Sequence, residues 1–160
     1  MGTVTVNKEE RRRYHEAGHV IVCRALGVAV ESLNFKPAGP GDTSVKVPDT
    51  LDLGDNKPEC ILQIFMAGIL ADELLCDRRG SPLRAGSGFF GEDGAKCLQW
   101  LNESSAGDRQ AQRRLLDEQI EEARRKLLAN WPAVERVAAA LQEHGTLTSE
   151  QIDALVSGAP

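Results

Sequence analysis

The segment PECILQIFMAGILADELLC, Pro58 to Cys76, places apolar residues on most sides of a helix. A helix of that kind has no solvent face to offer, so the remaining chain must be arranged around it. Proline near its first turn marks the start. The natural neighbour is a second helical pattern from about Lys8 to Leu26, opened by Asn7 and Glu10 at capping-box spacing and stopped by Gly27. Gly18 lies inside that pattern, where glycine costs about 1 kcal/mol relative to alanine, so some close neighbour has to need the missing side chain. Ala67, Gly68 and Ala71 on the apolar helix are small enough to provide that approach.

Between the two helices, Val28 to Phe35 and Thr43 to Val47 carry β-branched residues around the turn-forming KPAGPGD, which predicts a small sheet or hairpin. The glycine-rich stretch from Asp77 to Gly94 reads as a long loop of the kind that carries function, with helix resuming by about Gly94. A charged amphipathic helix is expected from about Gly107 to Ala129. Asn130 caps another through WPAVERVAAALQEHG, and TSEQIDALV opens with a Thr-x-x-Gln capping box, so the second half reads as a helical bundle. With 160 residues, no internal repeat and no dividing linker, the chain is expected to form one domain over residues 1–160.

Composition narrows the partners. A net charge of −5 and 4% aromatic residues leave neither the basic footprint nor the stacking platforms that nucleic acid needs. The longest nearly apolar run, Ile61 to Ala71, is far shorter than the roughly 20 residues of a membrane-spanning helix. The amino terminus lacks the pattern of a secretory signal, and Cys23, Cys60, Cys76 and Cys97 show no C-x-x-C spacing. A cytoplasmic protein without a membrane anchor is expected.

The first helix contains His15-Glu16-Ala17-Gly18-His19. Residues four apart lie about 40° apart around a helix axis, so both imidazoles point the same way and can share one ion. That arrangement supplies two ligands of a catalytic Zn2+, and Glu16, about 100° further round than His15, is placed to act as general base without being a ligand. A catalytic zinc takes a third protein ligand, for which His144 or a carboxylate is available. His144 precedes Gly145 at a helix end, where it complements the last carbonyls and the dipole, a structural role. No G-x-S-x-G elbow is present to suggest another hydrolase.

YHEAGHVIVCRALG resembles the zinc-helix signature of the FtsH-type ATP-dependent metalloproteases. AGILADELL, from Ala67 to Leu75, is similar to that family's Gly-x-Ala-Ala-Glu-Glu helix, and ARRKLLANWPAVERVAAALQEHGTLTSEQIDALV resembles its carboxy-terminal segment. The resemblance implies an α+β, mostly α, zincin-like fold with a small sheet whose edge, here in about Val28 to Val47, holds the substrate backbone, followed by a helical bundle. It also implies that the third ligand is an aspartate at a helix start after a glycine-containing loop, which corresponds to Asp93 in GFFGEDGAKCLQWL. The family's Thr-Gly-Ala before that aspartate and leucine after it are replaced here by GFFGE and Gly94, so Glu92 stands as the alternative; both acids also suit the first turn of a helix for dipole reasons alone. Asp72 and Glu73 stand where the family has paired glutamates, in positions to orient a histidine N–H or to solvate the helix.

The expected activity is zinc-dependent endopeptidase action through metal-activated water. No G-x-x-x-x-G-K-[ST] motif occurs in the 160 residues, so the chain is expected to work without its own ATPase, on unfolded or flexible protein segments, as a homo-oligomer or with a separate delivery partner. The alternatives are a non-catalytic or partner-activated interaction domain that keeps the peptidase scaffold, and a peptidase that cuts one specific protein.

Overall fold

The computed structural model describes residues 5–35, 44–46, 57–81, 99, 101–102 and 107–158. In chain order these form α1 (Lys8–Ala25), β1 (Ser32–Asn34), β2 (Ser44–Lys46), α2 (Lys57–Arg79), α3 (Arg109–Ala129), α4 (Trp131–His144), β3 (Thr146–Thr148) and α5 (Ser149–Ser157). The protein is mostly helical with one small antiparallel sheet. Residues 99, 101 and 102 are helical, as expected of the segment after Gly94.

Helix α1 starts where Asn7 Oδ1 accepts the backbone N–H of Glu10 at 2.8 Å, and it ends at Leu26 before Gly27, whose φ of 78° suits glycine. It runs antiparallel to α2. Glu10 pairs with Arg79 at 2.8 Å near one end of the seam, Arg11 with Asp72 further along, and His19 reaches the Ile64 carbonyl near the other. Helix α2 continues three residues beyond the expected Cys76. The added turn is held by tertiary contacts that local sequence does not display, the Glu10–Arg79 pair and the Arg78 guanidinium 5.0 Å over the Trp131 ring.

The apolar character of α2 is explained by its position. Leu62, Met66, Ala67, Leu70, Ala71 and Leu75 are all buried, with α1 on one side and α3 on another. The α2–α3 contact contains a polar chain: Gln63 Nε2 donates to Gln119 Oε1 at 2.7 Å, and Lys126 Nζ donates to Gln63 Oε1 at 2.8 Å, so two buried amides are satisfied. Just past the histidine pair, from Val20 to Cys23, α1 is buried all round, and burial pushes the Cys23 thiol up to about 12, making it an inert filler.

The expected hairpin forms, with β1 antiparallel to β2, but the sheet has a third strand and the order β2-β1-β3. β3 is only Thr-Leu-Thr, too short for any alternation to be read. Leu147 pairs with Leu33, both fully buried, and the turn at Gly145 (φ 75°) brings the strand round so that the Gly145 carbonyl accepts from Phe35 N–H at 2.8 Å. Thr148 then closes the sheet and caps α5, with the full capping box to Gln151 present. Asn130 acts differently from expectation. Its side-chain amide donates to the Lys126 carbonyl at 2.8 Å, closing α3 rather than opening α4, whose start relies on Pro132. Among the described residues no helix is long and apolar enough to cross a membrane.

Candidate metal centre

The two histidines of α1 meet on the side of the helix that faces α2. His15 Nε2 and His19 Nε2 are 3.1 Å apart, with ring centroids at 4.8 Å and planes crossing at 77°. His19 is buried and His15 half-buried. Their placement depends on how closely α1 and α2 approach. A Cβ on Gly18 would stand 2.6 Å from Ala71 Cβ and 2.7 Å from the Ala67 carbonyl oxygen, so the helices meet there backbone to backbone. Of the small residues expected to face Gly18, Ala67 and Ala71 do so. Gly68, the third of them, faces His15 instead, and a Cβ there would lie 2.5 Å from the imidazole Nε2.

Hydrogen bonding fixes the tautomer of His19. Its Nδ1 lies 2.7 Å from the Ile64 carbonyl oxygen. A carbonyl can only accept, so Nδ1 carries the proton and Nε2 presents its lone pair towards His15. This is the arrangement in which a metal-binding histidine is usually held, with the far ring nitrogen donating to a carbonyl.

The pair fits a metal ion on geometric grounds. Two nitrogens each about 2.0–2.1 Å from a tetrahedral ion stand about 3.3 Å apart, close to the 3.1 Å observed between the Nε2 atoms. Without metal, the same short contact is that of an N–H···N hydrogen bond from His15 to His19, the proton occupying the place a cation would take. Imidazole suits zinc among the divalent ions. Among the described residues no third His, Cys, Asp or Glu joins the two histidines to complete a set. Asp93 and Glu92, between which the third ligand is expected, lie outside the described residues.

Glu16 is half-buried on α1, about 100° round the axis from His15. Two of the acids of α2, Asp72 and Glu73, stand in different surroundings. Asp72 takes a bidentate ion pair, accepting from Arg11 Nε at 2.6 Å and Nη2 at 2.7 Å. Glu73 has its carboxyl pushed up by burial, a shift opposed by the nearby Arg124. The hydrogen-bond acceptor that orients His19 is thus a backbone carbonyl, which no side-chain motif announces. His144 is exposed at the end of α4, 3.8 Å from Glu143, consistent with a helix-terminal role.

Two histidines one turn apart on one side of a helix, with their Nε2 atoms 3.1 Å apart, supply two of the donors that a helix-borne imidazole metal site needs. Sequence comparison points the same way: over 197 aligned positions covering 98% of this chain, it is 26% identical to the ATP-dependent zinc metalloprotease FtsH 4 of Sorangium cellulosum (strain So ce56). The chain spans 30% of the length of that relative. No family model matches the chain. The likeness is distant, and it suggests an FtsH-related family and, at that level, a protease.

Proposed function

We propose that the protein is a zinc-dependent endopeptidase with a zincin-like, FtsH-type peptidase fold. The single observation that carries the reading is the His15–His19 pair, with its two Nε2 atoms at metal-sharing distance and His19 held in the metal-binding tautomer by Ile64. The distant likeness to a zinc metalloprotease supports it independently. His15 and His19 hold the ion, with Asp93 as third ligand and Glu92 as its alternative. Zinc, when bound, supplies Lewis acidity that eases the ionisation of water and polarises a carbonyl. Glu16 takes the proton from the attacking water and hands it to the departing amide nitrogen, so one carboxylate serves first as base and then as acid. The buried position of His19 and its carbonyl partner keep that ring from turning during the reaction. Substrates are unfolded or flexible protein segments, whose backbone can extend along the edge of the sheet, and the setting is the cytoplasm.

The test is cleavage of casein by the purified chain without ATP, run beside Glu16→Gln and beside a chelated sample, with zinc content measured in each. The expected result is cleavage by the wild type, loss of at least about a hundredfold in Glu16→Gln with zinc retained, and recovery of the chelated sample on adding zinc. Absence of both zinc and cleavage would replace this reading with that of a non-catalytic interaction domain. Zinc without casein cleavage would shift it to a peptidase of narrow specificity or one that needs a partner.

A further inference from the structure

We propose that Gly68 is a positioning residue for the histidine pair: one turn of α2, from Ile64 to Gly68, seats both imidazoles, and the absent side chain at 68 is what aims His15. The consequence for metal rests on the peptidase reading above; the geometry does not.

A Cβ at Gly68 would lie 2.5 Å from His15 Nε2 and 2.6 Å from both Cδ2 and Cε1. An edge-on approach to Nε2 would leave the two carbons well beyond the nitrogen. Their near equality means that the face of the ring lies over Gly68. The ring plane, and with it the in-plane position on Nε2 that holds a proton without metal and a lone pair for a metal, is therefore directed along the surface of α2, towards the Nε2 of His19 at 3.1 Å, and not into the helix. Any side chain at 68 lifts the ring from this seat. Four residues earlier, at the same face of the same turn, the Ile64 carbonyl receives the Nδ1 proton of His19. The two rings are thus referenced to a single piece of backbone, so the distance between their nitrogens does not depend on long side chains that could adjust.

Glycine at this position is costly within a 23-residue helix, where alanine is intrinsically better. Gly18 is explained by the Ala67 carbonyl and Ala71. Gly68 has the ring of His15 as its nearest neighbour, so its cost is connected to the site and not to the approach of the two backbones.

The experiment is a double-mutant cycle of Gly68→Ala and His15→Ala in the full chain, read as thermal midpoints of the metal-free protein, together with zinc affinities of wild type and Gly68→Ala. With His15 removed, Gly68→Ala is expected to raise the midpoint by about 2–4 °C, since the gain from replacing glycine in a helix is unopposed. With His15 present, that gain is expected to vanish or reverse, and zinc affinity to fall by about 10–100-fold. An equal midpoint change in both backgrounds, or an unaltered zinc affinity in Gly68→Ala, overturns the proposal. Should Gly68→Ala fail to fold alone, its rescue by His15→Ala supports the seat and failure to rescue overturns it. A wild type that binds no zinc would overturn the peptidase reading, while the midpoint cycle would still decide whether Gly68 seats the ring.

Discussion

Helix α1 meets its two large neighbours on different terms. Towards α4 it presents Tyr14, whose ring stacks on Trp131 with centroids 5.7 Å apart and planes at 29°. Towards α2 it presents Gly18, and the contact is with main chain and a methyl group. Side-chain contacts of the first kind bury much apolar area and can shift by rotamer changes; contacts of the second kind bury less but leave no freedom in helix spacing. The histidine pair is on the second side. Two nitrogens that must share an ion need a spacing held to within about half an ångström, and a seam set by backbone contact provides it. The same helix is therefore anchored on one side and calibrated on the other.

The sharpest way to test that division is to damage the anchoring side. Trp131→Ala removes a buried ring together with its stack on Tyr14 and its contact with Arg78, and should cost about 3–5 kcal/mol in denaturant unfolding. Zinc affinity of the molecules that remain folded should be unchanged, because the α1–α2 seam does not pass through Trp131. A large loss of affinity in that variant would break the comparison.

Gly18→Ala attacks the calibrating side. The new methyl meets the Ala67 carbonyl, which cannot rotate away, so α1 and α2 must move apart. Overpacking of about 1–3 kcal/mol, offset by about 1 kcal/mol of helix propensity, leaves a net destabilisation of about 1–2 kcal/mol, smaller than that of Trp131→Ala. Its distinguishing sign is that zinc affinity falls with it, and that removing His15 does not relieve the stability loss. Isothermal titration and denaturant unfolding of the single and double variants read both effects.

The parts of this arrangement legible in the sequence are those written in local chemistry. Asn7 and Gly27 bracket α1, the apolar sides of α2 predict its burial, and Gly18 with Ala67 and Ala71 predicts the close approach, because each helix displays in its own residues the caps, apolar sides or small side chains that the packing uses. What the sequence hid depends on partners far along the chain. β3 exists because Leu147 finds Leu33, and the last turn of α2 persists because Arg79 finds Glu10. At the site, the HExxH spacing placed His15 and His19 on one side of a helix, but the Ile64 carbonyl carries no residue signature, and Gly68 could be read as another small residue in the seam until its neighbour proved to be an imidazole. Asp72, read as either a histidine-orienting or a solvating acid, is committed to Arg11, a pairing across 61 residues that local pattern cannot reveal.

That commitment makes Asp72→Asn the finest test of the seam. The Arg11 and Asp72 side chains are 16% and 15% exposed, and the bidentate hydrogen bond raises the Arg11 pKa above its ordinary value. The pair is shielded more than a surface ion pair yet still reaches water, so loss of the carboxylate should cost about 1 kcal/mol, between the small worth of exposed pairs and the larger penalty of fully buried ones. If backbone contact at Gly18 sets the helix spacing, the ion pair only fastens one end of the seam, and zinc affinity should stay within a factor of two or so while urea unfolding records the stability change. A tenfold loss of zinc affinity at unchanged stability would mean that Asp72 orients the histidines through Arg11 or in its place. The calibrating side of α1 would then extend a full turn beyond His15, and spacing at the site would be shared between a backbone contact and a charge pair.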